Sequence, residues 1–100
     1  MQVRIESDQE LPAGADSWIE RHARLAFGRN APYVRQIRVQ LRWLPPATGK
    51  VMVSCRGMGS IAVATSGGDP LGKIMGAIVA ASRQLDRKLR LSRALSILAR

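Results

Sequence analysis

The sequence predicts an α+β domain in the order β-α-β-β-β-α, with a four-stranded sheet and both helices packed on one of its faces. Two segments have helical periodicity, four short segments alternate apolar and polar residues, and short turns join the last strands. One hundred residues, 46% of them hydrophobic, suffice for one modest core but not for two. We therefore expect one domain over residues 1–93 and a tail over residues 94–100.

The first half of the chain predicts a strand, a helix and a second strand. The opening MQVRI alternates as a short strand does, and residues 12–27 have helical spacing. VRQIRVQLRW is the clearest strand, because over residues 36–43 an apolar residue at every second position alternates with glutamine or arginine. Trp18 and Trp43 both fall at core positions of these patterns. The apolar stripe of the first helix consists of Ala15, Trp18, Ile19, His22, Ala23 and Ala26.

The second half predicts two more strands and a long helix. Residues 51–55 and 61–65 alternate on either side of the turn RGMGS, which indicates an antiparallel meander. Asp69 and Pro70 then open the last helix, because Asp caps the first amides and proline suits the first turn. Residues 91–100 either extend this helix or fray. The predicted buried stripe of the last helix is Leu71, Ile74, Ile78, Ala81, Leu85 and Leu89.

Charge is distributed unevenly along the chain. Residues 1–20 contain five acids and one base, a net charge of −4, whereas residues 21–100 contain fifteen bases and two acids, a net charge of +13. Asp69 and Asp86 are thus the only carboxylates available to many arginines. Excess charge can serve solubility alone, but uncompensated cations at this density favour a polyanionic partner such as nucleic acid.

Enzymatic chemistry is not expected. His22 and Cys55 both fall at core positions, and one cysteine with one histidine cannot ligate zinc. The glycines of SGGDP precede a helix, but Asp69 would repel an anion there. We therefore predict no cofactor, no metal and no small-molecule substrate. No apolar run is long enough to span a membrane, no leader pattern opens the chain, and the lone cysteine suits a reducing cytoplasm.

The basic residues form the better candidate site. If the two helices lie side by side, their outer arginines make one stripe that can hold phosphates in pairs. An ordinary solvated helix face would mix in more acids than Glu20 and Asp86. The predicted RNA-binding residues are Arg21, Arg24, Arg83, Arg87, Lys88 and Arg90.

A second basic surface lies on the opposite sheet face and is the weaker candidate. It consists of Arg38, Arg42 and Arg56 with Gln40. Recognition of single strands by stacking is disfavoured, because aromatic residues are few and both tryptophans fall at core positions. The pattern favours structured RNA.

The ordered set of elements resembles the ribosome hibernation-promoting factor family, also called the ribosome-associated inhibitor or sigma-54 modulation family. The resemblance covers residues 1–93 and rests on MQVRI, WIERHARL, IRVQL and GGDPLGKIMGAIVAASRQLDRKL. Two positions depart from the family pattern. Leu71 stands where an aromatic is common, and Met75 where an acid is frequent. The chain is similar to the short form, without the additional C-terminal domain of long members.

The resemblance implies a fold like that of double-stranded RNA-binding domains. It also implies binding to the small ribosomal subunit at its decoding region, which silences idle ribosomes under stress. The family's cationic positions fall on Arg21, Arg24, Arg83 and Arg87, and Lys88 and Arg90 extend them. Two alternatives stay open. One is a general structured-RNA-binding module, and the other is an interaction module that oligomerises through LSRALSILAR.

Overall fold

A computed structural model describes residues 1–98 of the chain and has the predicted element order. Residues 94–98 continue the last helix, which is one of the two outcomes expected for the tail, and residues 99–100 lie outside the described part. The elements are β1 (Gln2–Ser7), α1 (Ala15–Phe27), a 3₁₀ segment (Gly28–Tyr33), β2 (Val34–Arg42), β3 (Thr48–Cys55), β4 (Gly59–Ser66) and α2 (Pro70–Leu98).

The four strands form one sheet in the order β1-β2-β3-β4. β1 runs parallel to β2, with α1 as the crossover, and Val3 lies opposite Ile37. The remaining pairs are antiparallel, with Val39 opposite Val51 and Val51 opposite Val63. The predicted meander is therefore confirmed for β2 to β4.

The core lies between one face of the sheet and both helices. The inward residues of β2 are buried as the alternation predicts, and so are Val51, Val53 and Cys55 of β3. α2 contributes nearly the predicted stripe, with Leu71 only partly buried at its start. No helix within residues 1–98 covers the other face of the sheet. The buried residues of α2 are Pro70, Ile74, Ala77, Ile78, Ala81, Leu85 and Leu89.

The core face of α1 differs in part from the prediction. Its buried residues are Ala15, Ile19, Ala23 and Phe27, and Phe27 is the largest fully buried side chain. Trp18 is 38% exposed, so its predicted core position is wrong. The buried residues of α1 recur every four positions from Ala15 to Phe27 and so form one line along the helix. Trp18 lies to one side of this line, which explains its exposure.

Two hydrogen bonds hold α2 beside α1 and beside the 3₁₀ segment that follows α1. The hydroxyl of Ser82 donates to the carbonyl of Ala26 at 2.8 Å, and Nδ2 of Asn30 donates to Oδ1 of Asp86 at 2.6 Å. The partners in both pairs are 56 residues apart in sequence, so α1 with its 3₁₀ continuation runs parallel to α2. Their carboxyl-terminal ends therefore point towards the same end of the molecule.

α2 is anchored at its start and unsupported at its end. Oδ1 of Asp69 accepts a hydrogen bond from the amide of Leu71 at 3.1 Å, which is the predicted cap. β3 approaches this part closely, since a Cβ on Gly49 would lie 3.4 Å from Cδ1 of Ile74 in α2. The same Cβ would lie 2.9 Å from Oγ1 of Thr65 in the neighbouring strand β4. From Arg90 to Leu98 every residue is exposed. The helix thus projects past the body of the domain.

Candidate nucleic-acid interface

The arginines of α2 lie together on its outer side. Arg83, Arg87 and Arg90 are four and three residues apart, which places them on one face of a helix, and all three are exposed. The buried residues Ala81, Leu85 and Leu89 occupy the opposite side. The structure therefore brings these three predicted residues together.

These arginines have no carboxylate partner in the described part of the chain. The ion pairs within residues 1–98 are Arg24–Glu20 and Arg38–Glu6. Asp86 is the acid nearest to them in sequence, and its Oδ1 accepts a hydrogen bond from Asn30 instead. The three guanidinium groups consequently remain available to an external anion.

α1 contributes fewer cations to this surface than predicted. Arg21 is exposed on the side of α1 opposite its buried line. Arg24, however, binds Oε1 of Glu20 through Nη2 at 3.0 Å and through Nε at 3.2 Å. Its Nη1 also donates to the carbonyl of Met1 at 3.3 Å. Arg24 thus faces β1, away from α2, and the predicted continuous stripe is interrupted there.

The side of α1 that faces α2 carries aromatic rings rather than cations. The rings of Trp18 and His22 lie 4.6 Å apart between centroids, tilted by 48°. His22 is partly buried, and its Nδ1 donates to the carbonyl of Trp18 at 2.8 Å. His22 therefore has a structural partner, and one aromatic ring is available at the surface where the sequence predicted none.

Lys88 occupies a different side of α2 from the three arginines. It lies near Cys55 at the end of β3, and Cys55 is buried as predicted. Burial raises the pKa of the Cys55 thiol, and the Lys88 ammonium opposes that rise. Lys88 therefore adds positive charge to this end of the molecule without joining the arginine face.

The second basic surface is partly neutralised on the uncovered side of the sheet. Nε of Arg38 lies 3.5 Å from Oε1 of Glu6, and Nε2 of Gln40 donates to Oε2 of the same residue at 3.1 Å. Arg42 and Arg56 are exposed. The Glu6 carboxylate thus offsets part of the positive charge on this surface, whereas Arg83, Arg87 and Arg90 on α2 have no ion pair within residues 1–98.

Three residues near the carboxyl-terminal ends of the helices were missed by the sequence interpretation. Arg29, Tyr33 and Arg93 line a cleft between the 3₁₀ segment and α2. The sequence marks Gly28 and Pro32 as the end of a helix, and nothing local indicates that the following turn packs on α2. The sequence shows that residues 29 and 93 are basic, but only tertiary contacts bring them to the same cleft.

The part of the chain that the structure describes has neither a membrane-spanning helix nor a cluster of metal-ligating side chains. No helix in residues 1–98 is both long and apolar enough to cross a membrane. No group of three or more His, Cys, Asp or Glu side chains in the same residues is arranged to hold a metal ion.

Comparison with solved structures identifies the architecture. No protein-family model and no curated protein sequence matches the chain. The N-terminal domain of Protein Y from Thermus thermophilus superposes with a TM-score of 0.62 at 19% identity, covering 86% of this chain and 93% of that one. A ribosomal subunit interface protein from Coxiella burnetii gives 0.61 at 11% identity, covering 94% and 99%. Both are hibernation-promoting factor family proteins.

The chain has the hibernation-factor fold. The resemblance found in the sequence is thereby confirmed at the level of architecture. Because the identities are only 19% and 11%, the comparison shows a shared fold and nothing beyond it.

Proposed function

We propose that this protein is a non-enzymatic, ribosome-associated translation inhibitor. It binds the RNA of the small ribosomal subunit through its basic helix faces and silences idle ribosomes under stress, acting in the cytoplasm. The observation that carries the proposal is the exposed face of Arg83, Arg87 and Arg90, which has no carboxylate partner within residues 1–98. The fold shared with Protein Y and with a ribosomal subunit interface protein supports the choice of the ribosome.

The physical basis is the exchange of counterions for guanidinium groups. Each RNA phosphate neutralised by an arginine releases condensed cations, so affinity falls steeply as salt concentration rises. Arginine suits this role because its planar fork can donate to two phosphate oxygens at once. Arg21 and Lys88 add charge at the edges of the contact. Arg24 takes part by exchanging Glu20 for a phosphate.

The decisive experiment is co-sedimentation with purified small subunits in a sucrose gradient. The wild-type chain should migrate with the subunit at low salt and dissociate as salt rises. The double variant Arg83→Glu, Arg87→Glu should not migrate with it. The matched control is Arg42→Glu, Arg56→Glu, which reverses the same charge on exposed residues outside the helices and should retain binding. A complex that survives reversal at Arg83 and Arg87 refutes the assignment of this face.

Two other functions fit particular observations. A general structured-RNA-binding module would use the same arginines, and competition between small subunits and bulk RNA separates it from a ribosome-specific protein. An interaction module is supported by the exposed apolar side chains of Leu91, Leu95, Ile97 and Leu98. In that case a chain truncated after Arg90 would have a lower association state in solution than the full chain.

A further inference from the structure

A cleft of about 280 Å³ lies between the 3₁₀ segment and the second half of α2. The hydrogen bond from Asn30 to Asp86 joins its two walls, and Asn30 is only 5% exposed. The carbonyl of Tyr33 accepts a hydrogen bond from the amide of Arg56 at 2.8 Å, which fixes the outer wall to the β3–β4 turn. The cleft is lined by Arg29, Asn30, Pro32, Tyr33, Asp86, Leu89, Arg90 and Arg93.

The charge of the cleft is strongly positive. Arg29, Arg90 and Arg93 line it against the single carboxylate of Asp86. None of the three has an acidic partner within residues 1–98, because Asp86 receives its hydrogen bond from Asn30. Arg90 and Arg93 are three residues apart on α2, so they lie on neighbouring positions of one face. Three guanidinium groups that line one cleft provide the donors that a phosphate group requires.

The cleft also has an apolar wall suited to a planar ring. Tyr33 is 39% exposed beside Pro32, and the mostly buried Leu89 also lines the cleft. Aromatic rings stack with nucleobases of any sequence, whereas a duplex keeps its bases inside. A phosphate-binding group next to an exposed aromatic ring is therefore typical of sites for single-stranded nucleic acid.

We propose that this cleft binds one nucleotide of single-stranded RNA, with the phosphate on Arg29, Arg90 and Arg93 and the base against Tyr33. The inference deepens the proposed function and rests on it in taking RNA as the partner. It differs in the ligand, which is an unpaired nucleotide rather than the phosphates of folded RNA. It also differs in its residues, since Arg90 alone is shared with the outer arginine face.

The test is titration of fluorescein-labelled hexauridylate with the full chain, followed by fluorescence anisotropy. Tyr33→Leu should weaken binding about tenfold through lost stacking. Arg93→Gln should weaken it several-fold and reduce the slope of log affinity against log salt by about one. Arg4→Gln removes the same charge from an exposed residue of β1 outside the cleft and should leave affinity nearly unchanged. Equal urea midpoints for the variants and the wild type will show that folding is intact.

Nuclear magnetic resonance adds a probe within the site. The side-chain amide of Asn30 and the ring of Tyr33 should shift on addition of hexauridylate in the wild-type chain. If inorganic phosphate alone gives the same shifts and Tyr33→Leu has no effect, the cleft is a simple anion site and the inference is wrong. Equal competition by double-stranded RNA would also overturn it.

The two proposals fail separately. If Tyr33→Leu and Arg93→Gln bind hexauridylate as tightly as the wild type while small-subunit binding stands, only the nucleotide site is refuted. If the cleft binds hexauridylate but the chain does not migrate with small subunits, only the ribosome proposal is refuted.

Discussion

The hydroxyl of Ser82 in α2 donates a hydrogen bond to the backbone carbonyl of Ala26 in the last turn of α1, at 2.8 Å. Carbonyls in the last turn of a helix lack the usual amide partner four residues further on, so a side chain from elsewhere can satisfy them. This bond and the Asn30–Asp86 bond set how far α2 extends beyond α1. They therefore determine where the arginines of α2 lie.

Loss of the Ser82 hydroxyl should destabilise the domain measurably. We expect Ser82→Ala to lower the free energy of unfolding by about 1 kcal/mol relative to Ser17→Ala, since a part-buried hydrogen bond is lost. Ser17 is the matched control because it is an exposed helical serine, so the gain in helix propensity is similar. Urea denaturation followed by circular dichroism measures both. Equal stabilities would mean that the bond does not hold the helices.

Two glycines should respond to alanine in opposite directions. Gly76 is exposed in α2 and a Cβ there meets nothing within 4 Å, so Gly76→Ala should stabilise by about 0.5–1 kcal/mol. A Cβ at buried Gly49 would lie 2.9 Å from Oγ1 of Thr65, so Gly49→Ala should destabilise by about 1–3 kcal/mol. Thermal unfolding of the two variants provides the comparison. A stabilised Gly49→Ala protein would contradict the close packing of Gly49 against Thr65 of β4 and Ile74 of α2.

Single neutralisations should distinguish a paired arginine from an unpaired one. Arg83→Gln should weaken co-sedimentation with small subunits and reduce the salt slope by about one, because one phosphate contact is lost. Arg24→Gln should have a smaller effect, since Arg24 already binds Glu20 in the free protein. The measurement is the fraction bound as a function of salt. An equal loss for both variants would show that the Glu20 pair opens without cost.

The thiol of Cys55 should react slowly. Burial raises its pKa against the opposing effect of Lys88, so at a given pH it carries less of the reactive thiolate than a free cysteine does. Alkylation should therefore be slow in the native protein, accelerate as pH rises, and become fast in urea. Lys88→Gln should slow it further by removing the charge that lowers the pKa. Faster alkylation of that variant would contradict the proximity of the two groups.

The features predicted correctly from sequence depend on local signals. Alternation over residues 36–43 identified a strand and its buried face, and Asp69 with Pro70 identified the start of α2. The start of β3 at Thr48, three residues before Val51, was missed because Gly49 breaks the apolar alternation. Apolar repeats of two residues in strands and of four in helices therefore predict these elements correctly, except where a glycine interrupts the repeat beside a neighbouring helix.

The candidate site was predicted less completely, for two different reasons. The pair of Arg24 with Glu20 has the four-residue spacing of a helical ion pair, so the sequence contained that signal. The cleft containing Tyr33 and Arg93 could not have been found in this way, because its walls are far apart in sequence. It exists only because the 3₁₀ segment packs against α2.

The length of α2 has a consequence for how its end gains structure. Starting a helix is unfavourable because several residues must be ordered before the first hydrogen bond forms, whereas each later residue adds its own bond. The packed residues from Pro70 to Leu89 already provide that nucleus, so the exposed residues up to Leu98 need only propagate it. Helicity in these final turns should therefore fade gradually with temperature, residue by residue from the end, while the domain itself still melts as a cooperative unit.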